Sequence, residues 1–324
     1  MIWQLADEAL RDSVPACLIV MVAASGSVPN RPGAKLLVTG EGRHEGTVGG
    51  GVTEQTLVSR AADMLSCGTR GCSEVVEVEH TEGGSGALCS GTQTFALLRL
   101  DTDDAEVVSR IARALLREQE RCIVLDTNGI DLVREHPSGD GPRWHEAGGG
   151  WQYLEPVGPR DTVTIIGGGH VSLALSRVLT PLGFRVVVLD DRPDLDTMER
   201  NEWAAERRVV DYATIRDAVP EGNRSYVCVM TFAHERDEDV LRALVGRPFR
   251  YLGMMGSPAK VASVFSHLSD SGIDSTALSK VRAPIGVPIE SNTPEEIAVS
   301  VAAELVAVRN GAELFWREPA GEAS

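Results

Sequence analysis

The sequence predicts an α/β protein of two domains, an N-terminal α+β domain followed by a domain built on a parallel sheet. Its 324 residues leave room for about two domains. The second half contains a strand, a glycine turn, a helix and a second strand in immediate succession, and further apolar runs alternate with helical patterns after them. We place the domains at 1–157 and 158–324, because glycine- and proline-rich stretches precede the first strand of that unit.

The strand–turn–helix–strand unit has the plan of a Rossmann dinucleotide-binding domain. The apolar run Val163–Ile166 leads into Gly167 and Gly169, which would allow a tight turn and the close approach of a pyrophosphate to a helix N-terminus. The second run, Val186–Leu189, ends at Asp190, 23 residues after Gly167. An acid about 20 residues after the first glycine is expected to bind a ribose hydroxyl. The alternative is a Rossmann scaffold that binds a different ligand or none.

The later strands place more polar residues at the same edge of the sheet, because ligands of doubly wound sheets collect at the carboxyl ends of the strands. His234 and Asp237 are candidate catalytic residues. His234 suits proton transfer near neutral pH, and a histidine that orients its loop is the alternative. Asp237 is also predicted as the N-cap of the next helix. The candidate cofactor-binding residues of this edge are Gly167, Gly169, His170, Asp190, Gly256, Ser257 and Lys260.

Apolar periodicity predicts the remaining elements along the chain. In the first domain we expect helices at 3–10, after Gly51 and at 106–120, and strands at 17–24, 36–39, 73–79, 92–100, 122–126 and 130–134. The stretches 136–142 and 148–150 have the composition of loops and linkers. In the second domain we expect strands at 208–210, 226–230 and 251–255. Typical helix starts occur at Ser257–Pro258 and at the capping box Thr293–Glu296.

A second glycine-rich stretch, Gly46–Gly51, precedes a helical pattern in the first domain. Glycines at such a position let backbone N–H groups approach a ligand oxygen, and nearby basic side chains would add positive charge. The alternative is a tight structural turn with solvated basic residues. The candidate cofactor-binding residues of this domain are Ser27, Arg31, Lys35, Gly49, Gly50 and Gly51.

The six cysteines form no C-x-x-C pair and do not cluster with histidines at zinc spacing. A disulfide framework or structural zinc is therefore not expected, and we assign no metal-ligating residue. Cys17, Cys122 and Cys228 lie in apolar runs and are predicted to be small buried hydrophobic residues. Cys89 lies in a glycine-rich polar loop, where an accessible thiol could be a nucleophile, a persulfide carrier or a metal ligand. The alternative is a cysteine without such a role.

Charge and hydropathy limit the binding partners. The net charge of −16 disfavours nonspecific binding to nucleic acid or to an anionic membrane surface. No window approaches about 18 consecutive apolar residues, so no transmembrane helix is predicted. The N-terminus has no basic segment followed by an apolar one, so no signal peptide is predicted. The expected location is the cytoplasm.

Several motifs in both domains occur together in one order. They are Gly26-Ser27-x-Pro29, Gly33-Ala34-Lys35, Gly46-Thr47-Val48-Gly49-Gly50-Gly51 with Glu54, Gly167-x-Gly169-His170-Val171, Thr231-x-x-His234-x-x-Asp237, Gly253-x-x-Gly256-Ser257-x-x-Lys260, Pro284-Ile285-Gly286 and Pro294-Glu295-Glu296-Ile297 with Ala303-Glu304. This combination resembles the XdhC/CoxI family, the accessory proteins of xanthine dehydrogenase, carbon monoxide dehydrogenase and related molybdenum hydroxylases.

The resemblance implies a two-domain protein, usually a homodimer, that binds molybdenum cofactor, which is often nucleotide-linked. Such a protein would protect the cofactor during sulfuration by a cysteine desulfurase and deliver it to an apo-hydroxylase. Cys89 lies where relatives often have a cysteine-glycine motif, which favours a functional thiol. Many relatives have a cysteine after the triple glycine, whereas this chain has Val52. The alternative function is an NAD(P)-dependent oxidoreductase that acts on a small molecule through the Rossmann domain.

Overall fold

The computed structural model describes residues 2–28, 30–69, 71–80, 91–134, 141–147 and 149–314. The chain divides into two compact units, Met1–Pro159 and Arg160–Ser324. The first unit contains α1 (Ile2–Arg11), β1 (Ala16–Gly26), β2 (Lys35–Thr39), β3 (His44–Gly46), α2 (Gly51–Ser66), β4 (Ser73–His80), β5 (Gly91–Leu100), α3 (Ala105–Leu116), β6 (Arg121–Asp126), β7 (Gly129–Val133), β8 (Arg143–Ala147) and β9 (Gly150–Val157).

The first unit has two antiparallel sheets, with strand orders β3-β2-β1-β5-β4 and β7-β6-β9-β8. The central strand β1 is buried on both faces. Leu18 and Val20 pack into a core with α1 and α3, while Cys17 and Ile19 pack into a second core with α2. A strand with two buried faces is a continuous apolar run rather than an alternating one. The two cores together position β2 and α2, and β3, which pairs with β2, leads into the glycine-rich stretch Gly46–Gly51 before α2.

The hairpin of β8 and β9 was not predicted, because its surroundings have the composition of a linker. Trp144 lies opposite Tyr153 in the antiparallel register. The rings of Trp144 and Trp151 lie with their centroids 5.4 Å apart, and Tyr153 is fully buried in the core with α1 and α3. Burial of these aromatic rings, rather than local propensity, therefore stabilises the two strands.

The second unit is a three-layer α/β domain. It contains β10 (Thr162–Ile166), α4 (His170–Leu179), β11 (Arg185–Asp190), α5 (Asp196–Glu199), β12 (Glu206–Val209), α6 (Ile215–Ala218), β13 (Gly222–Val229), α7 (His234–Leu244), β14 (Phe249–Met254), α8 (Pro258–Asp270), α9 (Ser275–Leu278) and α10 (Pro294–Arg309). Its five strands are all parallel in the order β12-β11-β10-β13-β14. Helices α4 and α10 cover one face, and α7 and α8 cover the other. The predicted Rossmann-like domain is confirmed.

The strand order reverses at β10, and the carboxyl ends of β10 and β13 are where doubly wound sheets bind ligands. The glycine turn after β10 and the segment after β13 meet at this edge. The predicted helix starts of α8 and α10 are confirmed. Ser257 Oγ accepts a hydrogen bond from Lys260 N at 3.3 Å, and Thr293 and Glu296 form a reciprocal capping box.

Candidate functional site

The first glycine loop, Gly46–Gly51, connects β3 to α2 through a backbone that other residues rarely adopt. Gly49, Gly50 and Gly51 have φ angles of +131°, +74° and +65°. A Cβ atom at Gly50 or Gly51 would meet no atom within 4 Å. Glycine is therefore required for the left-handed conformation itself, and the surrounding space is open to solvent or to a ligand.

Glu54, in the first turn of α2, fixes this loop from the helix side. Its Oε2 atom accepts hydrogen bonds from Thr47 Oγ1 at 2.6 Å, Val48 N at 2.9 Å and Gly50 N at 3.1 Å. Partial burial alone would raise the pKa of Glu54, but these three donors outweigh it and lower the pKa of the carboxyl below its usual value. The carboxylate thus organises the loop as an anion.

The N-terminus of α2 retains donors that Glu54 does not use. Within the described ranges, the N–H groups of Gly51, Val52 and Thr53 have no hydrogen-bond acceptor. The side chain of Val52 is 62% exposed, so these groups are accessible from solvent. A 16-residue helix adds a partial positive charge at this end. The first glycine loop can therefore accept an external anion.

We expect the stability of the first glycine loop to depend on pH through Glu54. Because its pKa is lower in the folded state, its contribution is present above the unfolded value near 4.5 and is lost as pH falls through the folded value. Urea unfolding between about pH 7 and pH 3 should show that Glu54→Gln costs about 1 kcal/mol near neutral pH and little at the acid end. An equal cost at both ends would contradict this role of the carboxylate.

Three predicted cofactor-binding residues of the first unit differ in their burial, namely Lys35, Arg31 and Ser27. Lys35 Nζ donates to Gly33 O at 2.9 Å and forms an ion pair with Glu155 Oε1 at 2.6 Å, and its side chain is 10% exposed. Its charge is thus neutralised inside the unit. Arg31 and Ser27 are exposed. Cys89 lies outside the described residues, so its predicted role stays a prediction.

The second glycine loop, Gly167–Gly169, is closely packed at two of its three positions. Gly167 has a φ of +112°, and a Cβ atom there would stand well inside 3.0 Å of Met230 O. A Cβ atom at Gly168 would stand 2.6 Å from Met198 Cγ, whereas one at Gly169 would meet nothing within 4 Å. The loop is therefore pressed against β13 and α5 but is open at Gly169, where α4 begins.

Asp190 is fully buried, and both of its oxygens already have partners. Oδ2 accepts from Gly168 N at 2.6 Å and from Arg192 Nη2 at 2.9 Å, and Oδ1 accepts from the N and Nε atoms of Arg192, each at 2.9 Å. Burial alone would raise the pKa of Asp190, but the Arg192 guanidinium and these donors lower it. Arg192 also lies 4.5 Å from the ring centroid of the exposed Phe232. A ribose hydroxyl would have to replace one of these partners.

The structure corrects the prediction that Asp237 is an N-cap. Helix α7 begins at His234, and Ala233 is its N-cap. Asp237 is fully buried one turn later. Its Oδ1 accepts from Thr231 N at 3.0 Å and Thr231 Oγ1 at 2.6 Å, and its Oδ2 forms an ion pair with Lys260 Nζ. The carboxylate reaches back to the loop and across to α8 because the buried donors there need an acceptor.

The other predicted residues of this edge surround that network. His234 and Ser257 are exposed, and Gly256 is partly buried. A Cβ atom at Gly256 would stand 2.8 Å from Lys260 Cδ, so the glycine leaves room for the lysine that pairs with Asp237. The structure thus brings Gly256, Lys260 and Asp237 together and leaves His234 at the surface.

Glu304 is a buried acid to which the sequence analysis assigned no role. It is fully buried in α10, and its Oε2 accepts from Tyr251 OH at 2.7 Å and Gly286 N at 2.5 Å. Its burial could have been predicted from its position one turn after Val301, on the apolar stripe of α10. Through these hydrogen bonds Glu304 connects Gly286, in the segment after α9, to Tyr251 in β14.

Metal ligands and membrane spans give two further results. Among the described residues there is no group of three or more His, Cys, Asp or Glu side chains arranged to hold a metal ion. In the same part of the chain, no helix has the length and apolar character needed to cross a membrane.

Two family models match the chain, one in each unit. The model of the XdhC and CoxI family matches residues 9–78, and the model of the XdhC Rossmann domain matches residues 163–305. The chain belongs to the XdhC/CoxI family. The first glycine loop lies within the matched N-terminal segment of this family, and the second lies within its Rossmann domain.

Known relatives of this XdhC/CoxI chain align over nearly all of it. The uncharacterized protein YqeB of Escherichia coli K12 is 25% identical over 304 residues, which are 92% of this chain but 44% of that protein, so the chain spans less than half of this relative. A probable subunit of xanthine dehydrogenase from Bacillus subtilis 168 is 22% identical over 326 residues, covering 94% of this chain and 96% of that protein. The crystal structure of a xanthine dehydrogenase from Bacillus halodurans shares the fold, with a TM-score of 0.76, 21% identity and 97% coverage of both chains.

These matches confirm the predicted XdhC/CoxI membership and fold class. The ligand and catalytic roles of the individual residues stay predictions.

Proposed function

We propose that this chain is a maturation factor for a xanthine dehydrogenase-type molybdenum hydroxylase. In this proposal it binds molybdenum cofactor, protects it during sulfuration by a cysteine desulfurase, and delivers it to the apo-enzyme. Family membership and the name of the Bacillus subtilis relative support the maturation role. The observation on which cofactor binding rests is the open N-terminus of α2.

The first glycine loop fits the anionic end of a pterin cofactor. Three N–H groups at Gly51, Val52 and Thr53 have no acceptor within the described residues, and a Cβ atom at Gly50 or Gly51 would meet nothing within 4 Å. A phosphate would gain hydrogen bonds and the favourable end of the helix dipole there. Bound cofactor would supply the molybdenum chemistry of the client enzyme, while the residues of this chain would bind and orient it.

The second glycine loop is a separate anion site of the second unit, which would bind a nucleotide phosphate. The N–H groups of His170 and Val171 have no acceptor in the described part of the chain, and Gly169 is open beside them. The same features are the basis of the alternative, an NAD(P)-dependent oxidoreductase with His234 as acid and base. The complete pairing of Asp190 with Arg192 and Gly168 disfavours that alternative, since a dinucleotide would need its carboxylate.

The Val52→Asp variant should lose cofactor binding without losing stability. A carboxylate at the second helical residue would occupy the anion site and repel a phosphate, while it would favour the helix dipole. We expect retention of the cofactor to weaken by about tenfold or more, equivalent to about 1.4 kcal/mol. The measurement is anaerobic incubation with released molybdenum cofactor, gel filtration, and a fluorimetric assay of the oxidised pterin that elutes with the protein.

The matched control is Val52→Asn, which has a similar size and no charge and should bind as the wild type does. His170→Asp and His170→Asn make the same comparison at the second glycine loop. Loss of pterin in Val52→Asp alone would place the pterin phosphate in the first unit. Wild-type protein that retains no pterin would contradict the proposal, and saturable NADH or NADPH binding in its place would support the oxidoreductase.

The transfer steps need their own readouts. Activation of an apo-hydroxylase by the loaded protein would test delivery, and the sulfurated fraction formed with a cysteine desulfurase would test protection. Cys89→Ala should lower the sulfurated fraction and leave pterin retention unchanged if the thiol acts in sulfuration. Light scattering of the same samples would test the proposed homodimer.

A further inference from the structure

Two cysteines meet at the turn between α2 and β4, at the opposite end of α2 from the first glycine loop. Cys67 is the C-cap of α2, and Cys72 directly precedes β4. Gly68 and Gly71 have φ angles of +69° and +62°, which glycine adopts without strain. These two left-handed residues reverse the chain, so that thiols five positions apart in sequence come together.

The two thiols lie close together, and a buried arginine lies beside both. The pKa of each thiol is shifted by the other, and Cys67 Sγ donates a hydrogen bond to Met64 O at 3.1 Å. Arg99 N donates to Cys72 O at 3.0 Å, while Arg99 Nη1 donates to Met64 O at 2.8 Å and Leu65 O at 2.9 Å in the last turn of α2. Arg99 thus contacts both segments, the one that bears Cys72 through its backbone N–H and the last turn of α2 through its guanidinium. The guanidinium also forms an ion pair with Asp101, with Nε 3.0 Å from Oδ2, and it still lowers the pKa of the Cys67 thiol.

The pKa values of the two thiols are shifted in opposite directions, which gives an exchange reaction one attacking thiol and one neighbour that reacts later. Cys67 is exposed, and hydrogen bonds from the backbone and hydroxyl of Thr69 lower the pKa of its thiol, with Arg99 and Cys72 adding to the effect. Burial raises the pKa of Cys72, and the negative charge of Cys67 raises it further. Cys67 is thus the better thiolate, and Cys72 is a protonated neighbour.

The remaining described cysteines lack these features. Cys17, Cys122 and Cys228 are fully buried, as predicted from their apolar runs. Burial raises the pKa of Cys17 to about 12. Buried thiols with raised pKa values are inert toward dissolved disulfides.

We propose that Cys67 and Cys72 form a thiol–disulfide exchange site that reacts with disulfides of low-molecular-weight thiols. The Cys67 thiolate attacks one sulfur of the small disulfide, which forms a mixed disulfide and releases one small thiolate. Cys72 then loses its proton and attacks Cys67 Sγ, which closes the Cys67–Cys72 bond and releases the second small thiolate. The two protein thiols are oxidised, the small disulfide is reduced to two thiols, and the two protons pass to the solvent and the released thiolates.

The test is incubation of the reduced, intact chain with glutathione disulfide, followed by an acid quench and mass spectrometry. We expect a product that has lost two hydrogen atoms and carries no glutathione. Trypsin and a glutamate-specific protease should yield the peptide 61–70 joined to the peptide 71–74, because Arg70 and Glu74 are cleavage sites. This digestion separates Cys72 from Cys89, which otherwise share one tryptic peptide.

Single variants distinguish the two roles. Cys72→Ser should retain one glutathione on Cys67, because no second thiol can displace it. Cys67→Ser should react at least about tenfold more slowly, because the remaining thiol is partly buried and its pKa is raised. In urea, which unfolds the turn, Cys67 and Cys72 should react with glutathione disulfide no faster than the other cysteines do. Wild-type protein that keeps glutathione on Cys67, that reacts first at another cysteine, or that loses no rate on Cys67→Ser would overturn the proposal.

Discussion

The Asp237→Ala variant is expected to unfold with a free energy about 3 kcal/mol below that of the wild type. Asp237 is fully buried. It accepts hydrogen bonds from Thr231 N and Thr231 Oγ1, and it forms an ion pair with Lys260 Nζ. Alanine would leave a buried backbone donor without an acceptor, and it would leave the Lys260 ammonium, whose side chain is 14% exposed, without its counter-charge. Urea unfolding of the intact chain measures the loss, and hydrogen exchange of β13 assigns it to the second unit.

Two further variants separate the hydrogen bonds from the ion pair. Lys260→Met removes the charge that alanine would strand, so the double variant Asp237→Ala with Lys260→Met should recover roughly half of the lost free energy. Glu235→Ala is the matched control, because Glu235 is an exposed acid in the same helical turn. Its expected change is within about 0.5 kcal/mol. An Asp237→Ala variant as stable as this control would show that the buried network does not stabilise the fold.

Local sequence rules predicted the second unit well because its signals are local. The alternation of apolar runs with helical patterns predicted the parallel strands, and the helix starts at Ser257 and Thr293 follow capping rules that span only three or four residues. The capping rule was wrong for Asp237, whose partners include a side chain on the next helix. Contacts between separate elements cannot be derived from spacing within one element.

The first unit was harder to predict for the same reason. Lys35 has the sequence context of a ligand-binding cation, yet its partner Glu155 lies 120 residues away on β9. That strand belongs to the hairpin that the composition concealed. Cys67 and Cys72 do not match a standard redox or zinc spacing, and their contact depends on two left-handed glycines and on Arg99 from another strand. In each case a tertiary contact decides the chemistry of the side chain.

The Gly167→Ala variant is expected to lose about 4 kcal/mol of stability or to leave the second unit unfolded. Two independent costs combine at this residue. Its φ of +112° is strained for alanine, and the new methyl group would overlap Met230 O in the loop after β13. Relief of that overlap would require β10 and β13 to separate at their carboxyl ends, and backbone at this packed sheet edge has little freedom to move. Urea unfolding measures the loss, and hydrogen exchange of β10 locates it.

Gly169→Ala provides the matched comparison two residues later. Gly169 has a φ of −73°, and a Cβ atom there would meet nothing within 4 Å. Its free energy of unfolding should therefore fall by no more than about 1 kcal/mol, the cost of alanine at an N-cap. Because the methyl group would stand beside the open N–H groups of α4, this variant should nevertheless bind an anion there more weakly than the wild type does. A stable Gly169→Ala variant with unchanged ligand binding would show that the second glycine loop serves only the packing of the sheet, and an equally stable Gly167→Ala would refute the packing role as well.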